Sequence, residues 1–201
     1  AQALAERVAR ELGNCYLLPT LPFSCSREHC DFAGTVWVKP PTLAAIIEDL
    51  VGALRHHGIN KVAVLVAHGG NWIVKPTIRE IDLDRKGGHV IFTTPEAFTV
   101  EQGTFAELHA GRGETSLMMR LRPELVKMDQ VKPDFAPSQG REFFDYVGLR
   151  AVSPTGLWGA PSKASAEQGE QMLKEATKRT VEYIRKTFAE IERLEKQRGG
   201  G

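Results

Sequence analysis

Three short stretches hold the residue types that can do chemistry. In KVAVLVAHGGNW, Lys61 to Trp72, an apolar and largely β-branched run from Val62 to Val66 breaks without a linker into His68, Gly69, Gly70 and Asn71. A histidine at such a break can bind a metal through one ring nitrogen while a backbone or carboxylate partner fixes the other. The two glycines let backbone approach a ligand closely and take positive φ at little steric cost. The plain alternative is a glycine-rich strand-to-helix turn whose histidine caps the next helix.

The second stretch is LHAGRGETSLM, Leu108 to Met118. His109 precedes Ala-Gly, and Glu114 falls at the start of a helix, where the dipole and free backbone N–H groups favour a carboxylate. Each residue taken singly has a structural reading, Glu114 as a helix-start acid and His109 as a loop residue. The third stretch is SCSREHC, in which Cys25 and Cys30 flank Glu28 and His29. That spacing is not a zinc-knuckle spacing and no second Cys/His cluster accompanies it, so small buried thiols and a loop histidine are the expectation. Three cysteines in all, Cys15, Cys25 and Cys30, argue against a disulfide framework and for a reducing, cytoplasmic setting.

The elements that must position these residues follow from periodicity. Ala3 to Leu12 reads as a helix with Leu4, Val8 and Leu12 on one face, stopped by Gly13-Asn14. CYLLP, Cys15 to Pro19, reads as a short strand, and residues 20–41 as a long loop holding an extended GTVWV. Thr42 can cap a helix to about His57, with Leu43, Ile46, Ile47, Leu50 and Leu54 at helical spacing. A strand over Lys61–Ala67, a helix over Ile73–Lys86 and the strand HVIFTT follow. This alternation predicts an α/β fold, a three-layer α/β/α sandwich with a mainly parallel central sheet. In such sheets ligands sit outside the carboxyl ends of the strands, where AHGGN lies.

Beyond Glu114 a helix runs to Arg122-Pro123, and residues 130–163, rich in Pro, Gly and Ser, read as loops. A long terminal helix starts after Ser165, with Gln168 three residues on and Met172, Ala176, Val181, Ile184 and Phe188 as its packing stripe. His56 and His57 close a helix and His89 begins a strand, all read as structural or surface residues. With 201 residues, the chain is expected to form one domain. Its 26 basic and 25 acidic residues nearly cancel, so no nucleic-acid or anionic-membrane partner is indicated. No window reaches the roughly 20 apolar residues that would span a bilayer.

AHGGN, HAGRGETSLM and GLWGAPSKASAEQGE, together with LPTLPFSCSREHCDFAGT, occur in an order and spacing that resemble the creatininase (creatinine amidohydrolase) family from Ala3 to about Thr187. The resemblance implies an α/β/α domain, a homo-oligomer (a hexamer in relatives), and a two-metal site of zinc or manganese that hydrolyses C–N bonds of cyclic or linear amides. It also implies His68 as a metal ligand, Glu114 as an acidic metal ligand or a close partner of one, and His109 as the catalytic histidine that handles protons. Gly69, Gly70, Asn71 and Trp158 would border a small-molecule amide substrate. Relatives carry a Glu-x-His pair and a metal-bridging Asp in a block that would precede Ala1, so the chain is expected to be N-terminally truncated relative to the family. Other members place Glu where Gly70 stands, as deformylase- and peptidase-like members do not. Glu28 and His29 are a local alternative source of ligands, in a loop position that suits substrate or interface contact. A catalytically impaired paralogue serving as a structural or binding subunit is the competing reading.

Overall fold

The structure, a computed structural model, describes residues 1–84, 87–95 and 107–199. The helices and strands in chain order are α1 (Gln2–Leu12), α2 (Pro40–His56), β1 (Lys61–Leu65), α3 (Val74–Leu83), β2 (His89–Thr93), α4 (Arg112–Leu121), α5 (Phe144–Val147), α6 (Leu149–Val152) and α7 (Ala166–Gly199). The chain falls into two compact units. The first comprises Ala1–Cys25, Trp37–Pro95 and Lys178–Gly201, the second Ser26–Val36 and Glu96–Thr177.

In the first unit β1 and β2 pair in parallel, with Lys61 opposite His89 and Leu65 opposite Thr93. Val66 donates to the Thr93 carbonyl at 2.9 Å and so carries the ladder one residue past β1. Parallel strands need a crossover, which α3 supplies. Leu43, Ile47 and Val51 of α2, Val74 and Ile78 of α3, and Val90 of β2 form one buried cluster with Cys25 and Val66. The fold is α/β with a parallel sheet, as the alternation predicts.

Several boundaries differ from expectation for identifiable reasons. α2 begins at Pro40, two residues before the expected Thr42 cap, because Pro40 and Pro41 fill the first helical positions, where no N–H is needed. α3 ends at Leu83, and the expected end at Lys86 falls outside the described residues. CYLLP is not a strand, nor is GTVWV. Among the described residues no strand pairs with either, and an apolar run without a ladder partner stays irregular; Tyr16 is 86% exposed. Cys25 is buried as expected, but Cys15 and Cys30 are exposed, and all three are free thiols.

The second unit holds α4, α5, α6 and the first turns of α7. Its core is Leu149, Val152 and Trp158, with Phe32 and Leu108 packed against it. Residues 130–163 are largely loop, interrupted by α5, α6 and single helical turns at Arg141–Phe143 and Pro161–Lys163. Ser165 caps α7 as predicted, its Oγ accepting the Gln168 N–H at 3.1 Å. The predicted stripe Met172, Ala176, Val181, Ile184 and Phe188 is buried along α7. Among the described residues no helix is long and apolar enough to cross a membrane.

Candidate active site

In the second unit His109 sits in a short antiparallel pairing with Trp158. The Leu108 and His109 N–H groups both reach the Trp158 carbonyl, at 2.8 and 3.1 Å, and the Trp158 N–H returns to the His109 carbonyl at 2.8 Å. This anchors the backbone on which the imidazole stands. The next residue, Ala110, has φ +50, a left-handed conformation that few non-glycine residues adopt.

Two side chains from α4 hold that turn. Ala110 donates its N–H to Glu114 Oε2 at 2.6 Å, and Thr115 Oγ1 donates to the Ala110 carbonyl at 3.1 Å. The HAGRGETS spacing thus folds back on itself: a glycine at the helix start, then a carboxylate and a hydroxyl on the first turn, closing over the residue after the histidine.

His109 and Glu114 line a cleft of about 530 Å³ together with His29, Phe32, Thr35, Leu149 and Thr155. The His29 and His109 rings meet edge to face, with centroids 5.0 Å apart. His29 Nε2 lies 3.5 Å from Glu28 Oε1. One wall of the cleft, the 26–36 segment, is fixed to α6. Arg150 Nη1 donates to the Asp31 carbonyl at 2.7 Å, and its guanidinium lies 5.8 Å from the centre of the Phe32 ring. Gly156, at φ +77, stands where a Cβ would come within 3.3 Å of that ring.

His29, His109 and the Glu114 carboxylate line this cleft, and imidazole nitrogen and carboxylate oxygen are donor types that zinc and manganese accept. Glu114 Oε2 accepts the Ala110 N–H, and Oε1 is the oxygen outside that bond.

The chain matches the creatininase family, creatinine amidohydrolase, over residues 1–184. It is a member of the creatininase family. Among curated proteins it is 25% identical over 195 residues to the mycofactocin precursor peptide peptidase of Mycobacterium ulcerans, covering 91% of this chain and 72% of that protein. It is 26% identical to the creatinine amidohydrolase of Pseudomonas putida, covering 92% of this chain and 80% of that protein. Its fold is also that of a solved creatinine amidohydrolase, at TM-score 0.76 and 24% identity over 93% of this chain and 80% of the other. Creatininase structures of Zn-Zn type and with Mn share that fold.

The creatininase motifs are distributed as follows. His109 and Glu114 face one cleft. Trp158 pairs through its backbone with His109, while its ring is buried in the core with Leu149 and Val152. His68, Gly69, Gly70 and Asn71 belong to the first unit, in the turn after β1, where the Asn71 N–H reaches the His68 carbonyl at 3.3 Å. Asn71 Oδ1 accepts the Cys25 N–H at 3.0 Å, so this side chain ties the turn to the chain before the 26–36 segment.

His29 is the cleft residue that motif reading undervalued. Its signal was the adjacent Glu28, a carboxylate beside an imidazole within the short charged run Arg27 to Asp31.

Proposed function

We propose that this creatininase-family chain is a metal-dependent hydrolase of amide C–N bonds, with His109 as the group that carries the proton to the departing nitrogen. The observation that supports this most is the convergence of His109, Glu114 and His29 on a single cleft. Glu114 and His68 are read as metal ligands, Glu114 from its place in the cleft and His68 from its motif and its position at the end of β1. His29 is an additional nitrogen donor.

Zinc or manganese is the expected ion, in keeping with the Zn-Zn and Mn forms of the neighbouring creatininases. Bound there, such an ion would polarise the amide carbonyl and lower the pKa of a water molecule. The residues of the chain do the rest. His109, held by its backbone pairing with Trp158, presents an imidazole, a side chain that can both take up and give a proton. Phe32, Val36 and Leu149 give the cleft an apolar wall, and Thr35 and Thr155 give it hydroxyls. These offer an uncharged amide apolar contact and hydrogen-bonding partners. Gly69, Gly70 and Asn71 are read as substrate-side residues on their motif, and Trp158 as a residue that borders the cleft.

The substrate class is an amide of either kind known among the relatives. One neighbouring creatininase mutant is a complex with creatine, and the mycobacterial relatives are peptide peptidases. We place the chain in the broader class of C–N hydrolases, with a homo-oligomer as the working assembly.

The test combines metal analysis with a panel of creatinine, formylated amines and short peptides. His109→Ala should reduce turnover by roughly 10²- to 10⁴-fold, the usual weight of a general acid–base group. Glu114→Gln should lower the bound zinc or manganese. Unchanged turnover in both variants would show that other residues carry the reaction. A folded wild-type protein that holds no metal and turns over nothing would favour the binding-subunit reading.

A further inference from the structure

We infer that Glu107 is the positioning residue of the cleft: its one carboxylate joins the His109 segment, the Trp158 segment and the start of α4 into a single frame. The sequence offers no hint of this, because among the described residues the hydrogen-bond partners of Glu107 are backbone groups.

Glu107 Oε2 accepts the N–H of Arg112, in the first turn of α4, at 2.6 Å. Its Oε1 accepts the N–H of Ala160, 53 residues away along the chain, at 3.0 Å. Between those two anchors lies the His109–Trp158 pairing. A carboxylate that accepts backbone N–H groups through both oxygens makes charge-assisted bonds, roughly twice as strong as neutral ones.

The surrounding backbone is shaped to admit it. A Cβ built on Gly159 would lie 2.6 Å from Glu107 Oε2 and 2.6 Å from the Gly111 Cα. A Cβ on Gly111 would strike the same Oε2 and come within 3.0 Å of the Gly159 Cα. Two glycines on different segments therefore face each other across one carboxylate. At Gly111 the backbone has φ −80, which any residue can adopt, so only space requires glycine there.

The need for such a frame comes from Ala110. A non-glycine residue in the left-handed region costs on the order of 1 kcal/mol and persists only when its surroundings over-determine it. Glu114 and Thr115 hold Ala110 from the α4 side, but they hold it only relative to α4. Glu107 fixes α4 relative to the Trp158 segment, and through it fixes where the His109 ring points. Misplacing a reacting group by about 1 Å can cost on the order of 10²-fold in rate.

The proposal rests on His109 being the proton carrier, and the experiment separates the two claims. Glu107→Gln keeps size and shape but turns one oxygen into an NH₂ that faces an N–H. Turnover is measured on a substrate the wild type hydrolyses, and the His109 ring is followed by NMR in protein with ¹⁵N-labelled histidine. Glu107→Gln is expected to lower kcat roughly tenfold, with KM within about twofold, and to move the His109 ring signals. A folded Glu107→Gln protein with wild-type kcat and unmoved His109 signals overturns the proposal. If His109→Ala keeps full turnover, the proton-carrier reading falls, and the ring signals still decide whether Glu107 positions that residue. Gly111→Ala supplies a second arm. It should be costly in the wild type and much less so beside Glu107→Ala, because the methyl then enters vacated space; additive effects would place the clash elsewhere and refute the frame.

Discussion

Adding one methyl group to each of two helical glycines should move stability in opposite directions. Gly52 lies on the exposed side of α2, and a Cβ built there meets nothing within 4 Å. Gly52→Ala is therefore a pure propensity change and should stabilise by about 0.5–1 kcal/mol. Gly169 lies in the first turns of α7, against α4. A Cβ there would overlap the Ser116 carbonyl oxygen, lie 2.6 Å from its carbon and touch Arg120 Cβ at 3.0 Å.

A carbonyl inside a helix cannot swing aside as a side chain can, so the cost belongs at the upper end of the roughly 1–3 kcal/mol for overpacking. Ala in place of Gly returns about 1 kcal/mol of helix propensity. The net expectation for Gly169→Ala is a loss of about 2 kcal/mol. At this chain length 1 kcal/mol corresponds to roughly 2–4 °C, so Tm should fall by about 4–8 °C, against a rise of about 1–4 °C for Gly52→Ala. Circular-dichroism melts with urea titrations measure both. The contact is also well tied: Ser116 is fully buried, its Oγ accepts the Ser165 N–H at 3.0 Å, and Arg120 pairs with Glu170 at 2.7 Å. Because α4 carries Glu114, Gly169→Ala should also reduce turnover, and Gly52→Ala should not. A neutral or stabilising Gly169→Ala would refute the close approach of α7 to α4 and the idea that α7 sets the position of Glu114.

Two further predictions concern pH and the cleft wall. His89 lies between two carboxylates, with Nδ1 3.1 Å from Asp82 and Nε2 3.1 Å from Glu195. Burial lowers its pKa, but the hydrogen bonds and charges of Asp82 and Glu195 outweigh burial and raise it above the ordinary value. A raised folded-state pKa gives stability that is fully present below the unfolded value of about 6.5 and is lost as pH climbs through the folded value. Melts at rising pH from about 6.5 should therefore show the wild type losing more stability than His89→Gln; parallel curves would refute the assignment. Arg150→Ala removes both the bond to the Asp31 carbonyl and the stacking on Phe32, together about 1 kcal/mol, so KM should rise roughly fivefold with kcat little changed and with partial recovery in Arg150→Lys. An unchanged KM would show that the 26–36 wall stands without Arg150.

What the sequence disclosed depended on whether a residue's partners were local. α2, α3 and α7 were legible because their buried residues recur at helical spacing, and β1 and β2 because short β-branched runs alternate with those helices. CYLLP had the composition of a strand, but strand formation depends on a partner far along the chain, and composition carries no information about whether one is present. His109 and Glu114 were legible because both belong to one helix start, five residues apart. Glu107 was not, and His29 was legible only as an alternative ligand in a loop. Glu107 acts on the N–H groups of Arg112 and Ala160, and backbone donors are the same at every position of a sequence. His29 gains meaning only beside His109, 80 positions later in the chain. Trp158 shows a subtler limit: its motif drew attention to the side chain, whereas the pairing with His109 uses the Trp158 backbone and the indole goes to the core.

His109 and Glu114 are coupled through the turn between them, where the Ala110 N–H meets Glu114 Oε2. With Ala110 in an ordinary helical or extended conformation, the chain would leave His109 in a direction set by the helix axis, and Glu114 would be only a helix-start acid. The left-handed turn at Ala110 reverses the chain so that imidazole and carboxylate face the same cleft. Glu114 is then both the cause and a beneficiary of that turn, since its Oε2 holds the Ala110 N–H and its other oxygen remains for a ligand. A glutamine at position 114 keeps an oxygen for the Ala110 N–H but brings no negative charge, so it weakens a metal contact more than it weakens the turn. Alanine at 114 removes both. Comparing the two substitutions therefore divides the work of this carboxylate between shaping the loop and holding a cation.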